Sequence, residues 1–156
     1  MKQPLVVYTT RTGHSRMLAE KLGTLLGAPV HEVIDLVNRK GFFGFIFSGF
    51  QAVSKKATPI REAEINLSNY DGVVIVVPVW ASNLTPPMRT WLQNHKRDLA
   101  GKPIAVLGSC KGSDPQTYAN NIKEEFPPVK ACSVCLEKES NVDDFLKKWT
   151  QELTVL

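Results

Sequence analysis

The sequence predicts an α/β fold in which five parallel strands alternate with helices that cover both faces of one sheet. Three observations support this fold class. Short apolar runs rich in valine and isoleucine recur along the chain, as strands buried on both faces require. Each run is followed by residues with apolar side chains at helical spacing. The 156 residues, 43% of them apolar and 22% charged, are typical of one globular domain over 1–156.

The predicted elements follow one another with clear boundary signals. Gly27, followed by Pro29, ends the first helix. Pro86 suits the first turn of a later helix, and Asp114 is a cap residue at the start of the next one. Because strands and helices alternate, right-handed crossovers are expected between parallel strands. The predicted strands are 4–9, 30–36, 70–80, 102–109 and 129–136, and the predicted helices are 15–27, 86–99, 114–126 and 141–153.

The charge distribution and the cysteine content exclude several classes of protein. Residues 1–70 hold nine Lys or Arg against five Asp or Glu, whereas residues 71–156 hold ten of each, which gives the net charge of +4. This basic first part could favour an anionic ligand, partner or surface, but it is too weak to predict nucleic-acid binding. Three cysteines cannot complete a disulfide framework. With neither a signal peptide nor a membrane span in the sequence, we expect a cytoplasmic protein.

One irregular region between the second and third strands has two interpretations. Residues 38–60 hold five of the seven phenylalanines, with basic pairs on either side. In the first interpretation a short helix packs its apolar residues on the sheet, as phenylalanines usually do. In the second they form an exposed apolar lip that contacts a substrate, a partner or a membrane surface. The residues concerned lie within 41–53 and are Phe43, Ile46, Phe47 and Phe50.

The first strand ends in a cluster of hydroxyl residues around one glycine, and a helix begins at once. Backbone N–H groups converge at the start of a helix, where the helix dipole adds about half a positive charge. Gly13 permits an unusual backbone angle and the close approach of a ligand. Thr10, Thr12 and Ser15 add hydroxyl donors to the same turn. A helix cap would need only one of these hydroxyls, so the cluster predicts a phosphate-binding loop.

At these residues the chain resembles the flavodoxin family, whose FMN phosphate loop has the form T-x-T-G-x-[ST]. A second segment, 78–92, is similar to the flavin-flanking segment of the family's oxidoreductases, which has the form P-x-[WY]-x-x-N-x-x-P-P. The resemblance implies FMN as cofactor and a flavodoxin-like, doubly wound sheet of order 2-1-3-4-5. The matching residues are Thr10, Arg11, Thr12, Gly13, His14 and Ser15 in the first loop, and Pro78, Trp80, Asn83, Pro86 and Pro87 in the second.

The resemblance also implies which residues bind FMN. In that sheet order the ligand crevice lies at the carboxyl ends of the first and third strands. Trp80 is expected against one face of the flavin ring, the alternative being a place in the core. Backbone amides of the second loop and of a third loop, residues 108–114 after the fourth strand, are expected at the ring edge. The expected cofactor-binding residues are Thr10, Arg11, Thr12, Gly13, His14, Ser15, Pro78, Val79, Trp80, Ala81, Ser82, Asn83, Ser109, Cys110, Lys111 and Gly112.

Two departures from the family pattern favour a reductase over a one-electron carrier. Electron carriers of the family are strongly acidic, whereas this chain is basic, with Arg11 and Arg16 in or beside the first loop. Nearby cations should stabilise anionic reduced FMN and raise its potential. The third loop lacks the tyrosine that many members stack on the outer flavin face, which leaves room for a substrate or a nicotinamide. Tyr118, in the following helix, is not expected to replace it.

The predicted function is therefore that of an FMN-binding redox protein. It either passes electrons to a partner protein or reduces a small acceptor such as a quinone, with NAD(P)H as a candidate donor. One alternative is a flavin-free binding or regulatory module that uses the same pocket for another phosphate ligand. The other is a flavodoxin-like oxidase at a membrane surface, which the phenylalanine-rich segment 41–53 suggests.

Neither a catalytic side chain nor a metal ligand is predicted. Cys132 and Cys135 have the C-x-x-C spacing, but they lie on a predicted strand, where residues i and i+3 point to opposite faces. Cys110 lies in the third loop, and we expect it to be a buried, inert thiol.

Overall fold

The computed structural model describes residues 1–39 and 41–156, apart from the side chains of 41–43 and 45. In chain order its elements are β1 (Pro4–Tyr8), α1 (His14–Leu26), β2 (Val30–Glu32), β3 (Ile34–Asp35), α2 (Gly41–Val53), β4 (Ile60–Arg61), a 3₁₀ turn (Leu67–Asn69), β5 (Gly72–Pro78), α3 (Pro86–Asn94), β6 (Ile104–Cys110), α4 (Pro115–Glu125), β7 (Val129–Leu136) and α5 (Val142–Leu153).

Five strands form one parallel sheet in the order β2-β1-β5-β6-β7. Val6 of β1 is in register with Val30 of β2 on one side and with Val74 of β5 on the other. Strands β1, β5 and β6 are buried almost throughout, which explains their continuous apolar sequences. Counted over the sheet alone, this order is 2-1-3-4-5, so the predicted fold class is confirmed.

Helices cover both faces of the sheet, because successive residues of each strand point to opposite sides. On one face Val6 and Val74 pack against apolar side chains of α1 and α5. On the other face Val7 and Ile75 pack against those of α3 and α4. The helix after β1 and the helix after β5 therefore lie on opposite faces, as a ligand crevice between the two strands requires.

The predicted second strand, 30–36, is divided between two sheets. Its first three residues, β2, pair with β1, and the backbone N–H of Val33 still donates to the carbonyl of Tyr8 at 2.7 Å. Beyond Val33 the chain leaves the main sheet, and Ile34 and Asp35 pair antiparallel with β4. An apolar run can thus serve two sheets in turn, which composition does not distinguish from one long strand.

The predicted helix over 86–99 is shorter than expected and ends at Asn94. Beyond it, bonds three residues apart, as from Lys96 N–H to the carbonyl of Gln93, are mixed with one four residues apart, from Leu99 N–H to the carbonyl of His95. Gly101, with a φ of 79°, then begins the approach to β6. Tighter bonding of this kind is common where a helix ends.

Helix α2 has a solvent-facing apolar side. Ile46, Phe47, Phe50 and Val53 are between 49% and 60% exposed. The interpretation in which these residues pack on the sheet is therefore wrong for Ile46, Phe47 and Phe50. The interpretation of an exposed apolar lip predicts their exposure correctly. The side chain of Phe43 lies outside the described residues. No helix in the described part of the chain is long and apolar enough to cross a membrane.

Candidate functional site

A cleft of 520 Å³ lies at the carboxyl ends of β1 and β5, where the sheet order places a ligand crevice. Its volume is within the range of about 300–1,000 Å³ that is usual for small-molecule sites. The lining residues come from the first loop, the segment after β2 and the second loop. They are Thr9, Thr10, Arg11, Thr12, Glu32, Val33, Ile34, Asp35, Val37, Asn38, Arg39, Pro78, Trp80 and Pro87.

The first loop presents the start of α1 without a side-chain cap. Gly13 stands at the N-cap position with a φ of 93°, and a Cβ atom there would meet nothing within 4 Å. The glycine is therefore needed for its backbone angle and not for space. Thr10 closes the loop, because its Oγ1 accepts a hydrogen bond from the Gly13 N–H at 2.9 Å. No described side chain caps α1, so its first N–H groups remain suited to an anion.

Ser15, one of the predicted phosphate ligands, lies at the base of the first loop. Ser15 is buried, and its hydroxyl shares a hydrogen bond of 2.7 Å with the hydroxyl of Ser109 at the end of β6. Neither side chain is among those that line the cleft. This bond joins the first and third loops at their bases, so the two serines position the loops.

The second loop contains a strained two-residue turn. The backbone N–H of Asn83 donates to the carbonyl of Trp80 at 3.0 Å, and between them Ala81 and Ser82 have φ values of 48° and 57°. Left-handed backbone costs about 1–2 kcal/mol at each residue that is not glycine. Side-chain amides hold the turn, since Asn83 donates to the carbonyl of Ala81 at 2.6 Å and Asn121 to that of Ser82 at 2.9 Å. Strain that the surroundings maintain is typical of ligand sites.

A buried arginine, which the sequence analysis missed, covers one face of Trp80. The centre of the Arg39 guanidinium lies 5.0 Å from the centroid of the Trp80 ring, a cation–π contact. Arg39 also forms an ion pair with Asp35, and its Nη1 donates to Gln51 at 2.8 Å. Its Nη2 is buried and has no hydrogen-bond partner among the described residues. The i, i+4 spacing of Asp35 and Arg39 was the only feature of the sequence that indicated this ion pair.

The two arginines expected beside the phosphate have different surroundings. Arg16 donates from Nε to the hydroxyl of Tyr8 at 3.0 Å and pairs with Glu32 at 2.9 Å. The hydrogen bond with Tyr8, followed by the bond with Glu32, raises the pKa of Arg16 above its ordinary value. Because Glu32 offsets its charge, Arg16 contributes little positive potential to the cleft. Arg11 lines the cleft and also a second cavity of 280 Å³ on α2, which Val79, Trp80 and Ala81 line as well.

The third loop stays outside both cavities in the described structure. Lys111 and Gly112 are exposed, and Cys110 is buried. Burial is the main cause that raises the pKa of the Cys110 thiol, so it is protonated at neutral pH. The second and third loops contact each other where the hydroxyl of Ser82 lies 3.3 Å from that of Ser113.

Tyr118, which was not expected to replace the missing tyrosine, is a core residue. It is fully buried, and a Cβ atom at Gly108 would come within 2.8 Å of its ring and within 2.6 Å of the Val79 side chain. Tyr118 therefore packs beneath the third loop and cannot stack on a ligand in the cleft.

Cys132 and Cys135 point to opposite faces of the sheet, as predicted. Cys132 packs with the layer of α3 and α4, and Cys135 with the layer of α1 and α5. Burial is the main cause that raises the pKa of Cys132 to about 12 and that of Cys135 to about 11. Both thiols are protonated at neutral pH, which does not suit a redox pair.

Known proteins share this architecture. Residues 5–152 match the sequence model of a family described as NADPH-dependent FMN reductase. The flavoprotein of Lactobacillus acidophilus NCFM, solved in complex with FMN, is 21% identical over 92% of this chain and 98% of its own, with a TM-score of 0.74. A flavoprotein from Bacteroides eggerthii DSM 20697 is 21% identical over 99% of each chain, with a TM-score of 0.77.

A third solved structure is similar in fold. The WrbA-like flavodoxin of Agrobacterium tumefaciens is 11% identical over 98% of this chain and 96% of its own, with a TM-score of 0.66. At such identities the three structures establish the fold alone. No curated protein sequence matches the chain.

The fold and the cleft define a flavodoxin-like flavoprotein. The sequence match, which spans nearly the whole chain, then specifies the group: the protein belongs to the NADPH-dependent FMN reductase family. It is an FMN-binding redox protein, as its sequence predicted. Membership implies a reduced nicotinamide donor and a small-molecule acceptor as its partner classes.

Proposed function

We propose that FMN binds in the 520 Å³ cleft and passes electrons from NAD(P)H to a small acceptor such as a quinone. The single observation that carries the proposal is the convergence of Thr12, Arg11 and Trp80 on this cleft, beside the uncapped start of α1. We also propose that residues 1–156 act as one domain.

The chemistry of the cleft fits the two ends of FMN. At one end, the amides that begin α1 and the hydroxyl of Thr12 suit a phosphate, while Thr10 holds the loop in shape. At the other end, Pro78 and Trp80 offer apolar surface to a flat ring. The partnerless Nη2 of Arg39 suits a carbonyl oxygen, because a buried N–H without an acceptor costs free energy.

The charges at the cleft favour a reductase. Bound FMN supplies the two-electron redox chemistry, and the side chains around it set its potential. Arg11 and Arg39 line the cleft with Glu32 and Asp35, and Arg16 pairs with Glu32, so three arginines stand against two carboxylates and the formal charge is +1. Net positive charge at this position stabilises reduced, anionic flavin and favours its formation by hydride transfer. The third loop does not cover the cleft, so a nicotinamide and then an acceptor can approach.

A pair of glycine substitutions tests where FMN binds. Gly13 and Gly101 have φ values of 93° and 79°, and neither has an atom within 4 Å of an added Cβ, so Gly→Ala costs each about 1–2 kcal/mol of backbone strain. Gly13 borders the cleft, whereas Gly101 precedes β6 at the opposite edge of the sheet. We expect Gly13→Ala to weaken FMN binding at least tenfold in a fluorescence-quenching titration, and Gly101→Ala to bind as the parent does. Equal FMN affinities would contradict the assignment.

A separate measurement tests the reaction. The FMN-loaded protein is mixed anaerobically with NADPH, and the loss of flavin absorbance is followed before benzoquinone is added. We expect one NADPH to bleach one flavin by hydride transfer, and one quinone to restore it as it becomes hydroquinone, with one proton taken up from solvent over the whole cycle. A flavin that binds but is not bleached by NADPH would overturn the reductase assignment and leave the FMN site standing.

A further inference from the structure

Helix α2 is amphipathic in the reverse sense for a surface helix. Helices on globular proteins normally turn their apolar side to the core and their polar side to water. Among the described side chains of α2, Ser48, Gln51 and Ala52 are buried against the protein, whereas Ile46, Phe47, Phe50 and Val53 face solvent. The four apolar residues follow the spacing i, i+1, i+4 and i+7, so they form one continuous ridge.

Buried hydrogen bonds fix this orientation. Arg39 donates from Nη1 to Ser48 at 3.2 Å and to Gln51 at 2.8 Å. Arg89 donates from Nη2 to the carbonyl of Ala52 at 3.3 Å. Rotating α2 to bury Phe47 and Phe50 would remove the Ser48 and Gln51 acceptors from the buried Arg39 guanidinium, and each buried donor left without an acceptor costs free energy. The exposed ridge is therefore a stable feature of the fold.

The surroundings of the ridge are basic. Residues 41–61 contain neither Asp nor Glu, and Lys55 and Lys56 follow directly after α2. Both lysines are exposed, and the Lys56 ammonium lies 6.0 Å from the centroid of the Phe50 ring. An apolar ridge bordered by ammonium groups is complementary to the surface of an anionic bilayer, where apolar side chains enter the acyl boundary and cations contact the phosphates.

We propose that α2 docks this protein on an anionic membrane surface, with Phe47 and Phe50 at the acyl boundary and Lys55 and Lys56 among the headgroups. The alternative occupant is a second copy of the chain. The ridge offers only about 400 Å² of apolar surface, half of the about 800 Å² per partner in a standard interface. A self-complementary contact would also bring lysines of like charge together. A bilayer requires neither a large area nor an opposite patch of matching shape.

Vesicle co-sedimentation of the FMN-loaded protein tests the proposal. We expect binding to vesicles of 60% phosphatidylcholine and 40% phosphatidylglycerol at low salt, weaker binding at 0.5 M salt, and none to pure phosphatidylcholine. Phe47→Ser with Phe50→Ser should lower the partition coefficient at least tenfold. Lys55→Gln with Lys56→Gln should lower it about tenfold on the anionic vesicles at low salt.

A matched control uses exposed apolar residues elsewhere. Leu25→Ser with Val155→Ser removes a similar amount of exposed apolar surface, from α1 and from the segment after α5, and should leave binding unchanged. Because Phe47, Phe50, Leu25 and Val155 are all exposed, both double serine variants should unfold in urea as the parent does. Parent protein that stays in the supernatant at every composition would overturn the proposal. So would equal losses from the two serine pairs, or a dimer in sedimentation that Phe47→Ser with Phe50→Ser abolishes without any vesicle binding.

Discussion

Arg89 and Arg39 are both buried, at 1% and 7% exposure, and both hold α2, but they differ in how completely their donors are used. Arg89 pairs with both carboxylate oxygens of Glu125. Its remaining N–H groups donate to three backbone carbonyls, those of Lys56, Ala52 and Leu84. Arg39 has an ion pair, two side-chain acceptors and the ring of Trp80, yet its Nη2 has no partner among the described residues.

This difference separates a structural cation from one that is available to a ligand. Buried donors are almost always satisfied in folded proteins, so a donor left over beside a cleft indicates a group that completes the set. Arg89 does not line the cleft, and each of its three guanidinium nitrogens has an acceptor within the protein. Arg39 lines the cleft, and its Nη2 has no acceptor among the described residues. The variants below test whether the two arginines differ in this way.

The largest effect is expected from Arg89→Met. Methionine fills much of the volume but leaves the Glu125 carboxylate, which is 10% exposed, without its cation. We expect the free energy of unfolding to fall by about 3–5 kcal/mol in urea denaturation. Arg97→Met, at an exposed position, is the control and should change stability by less than about 0.5 kcal/mol. A loss no larger than that of the control would mean that the buried network is not a structural one.

Arg39→Met should destabilise the protein less. One carboxylate and two neutral side chains lose a donor, and methionine retains contact with Trp80, so we expect a loss of about 1–3 kcal/mol. The same urea experiment measures it, with Arg89→Met as the reference. Equal losses would mean that burial alone determines how much each arginine stabilises the protein, and that the two arginines do not differ in structural role.

The potential of bound FMN provides a sharper distinction than stability. Removing the charge of Arg39 should lower the potential by tens of millivolts, because a nearby cation stabilises the reduced, anionic flavin. Arg39→Lys keeps the charge and loses the planar fork, so it should restore most of the potential but not the stability. Equilibrium dye titration measures both variants. A potential unchanged in Arg39→Met would show that this guanidinium does not act on the flavin.

The smallest effect concerns the other end of the helix that carries Glu125. Asp114 caps α4, and the hydrogen bond from the Thr117 hydroxyl is the main cause that lowers the pKa of its carboxyl below 3.8. A carboxyl with a depressed pKa stabilises the fold above its unfolded pKa, and this contribution is lost as the pH falls through the folded pKa. Asp114→Asn should therefore be less stable than the parent at pH 7, with a smaller difference at pH 3. A difference of the same size at both pH values would contradict the assigned cause.

Much of the fold follows from local sequence because the strands are buried on both faces. Runs such as 72–78 have no polar alternation that could be confused with another sheet type, and the first loop carries its hydroxyls and glycine within six consecutive residues. Both features were therefore predictable without knowledge of distant contacts.

The remaining features depend on tertiary contacts. Arg39 and Trp80 are 41 positions apart, and nothing local to either residue indicates their contact. Periodicity showed that α2 has an apolar side but not which way that side faces. The orientation is set by acceptors on the helix for Arg39 and Arg89, which a helical pattern does not reveal.

Gly108 lies between the core and the second loop, and both occupy the space that a side chain there would fill. A side chain there would press at once on Val79, which precedes Trp80, and on Tyr118 in the core. A substitution at Gly108 would therefore shift the strained turn at 81–82 without replacing any residue that lines the cleft. In a library of random variants, substitutions at this position should alter the colour and the thermal tolerance of the protein together, whereas substitutions at Arg89 should alter mainly the thermal tolerance.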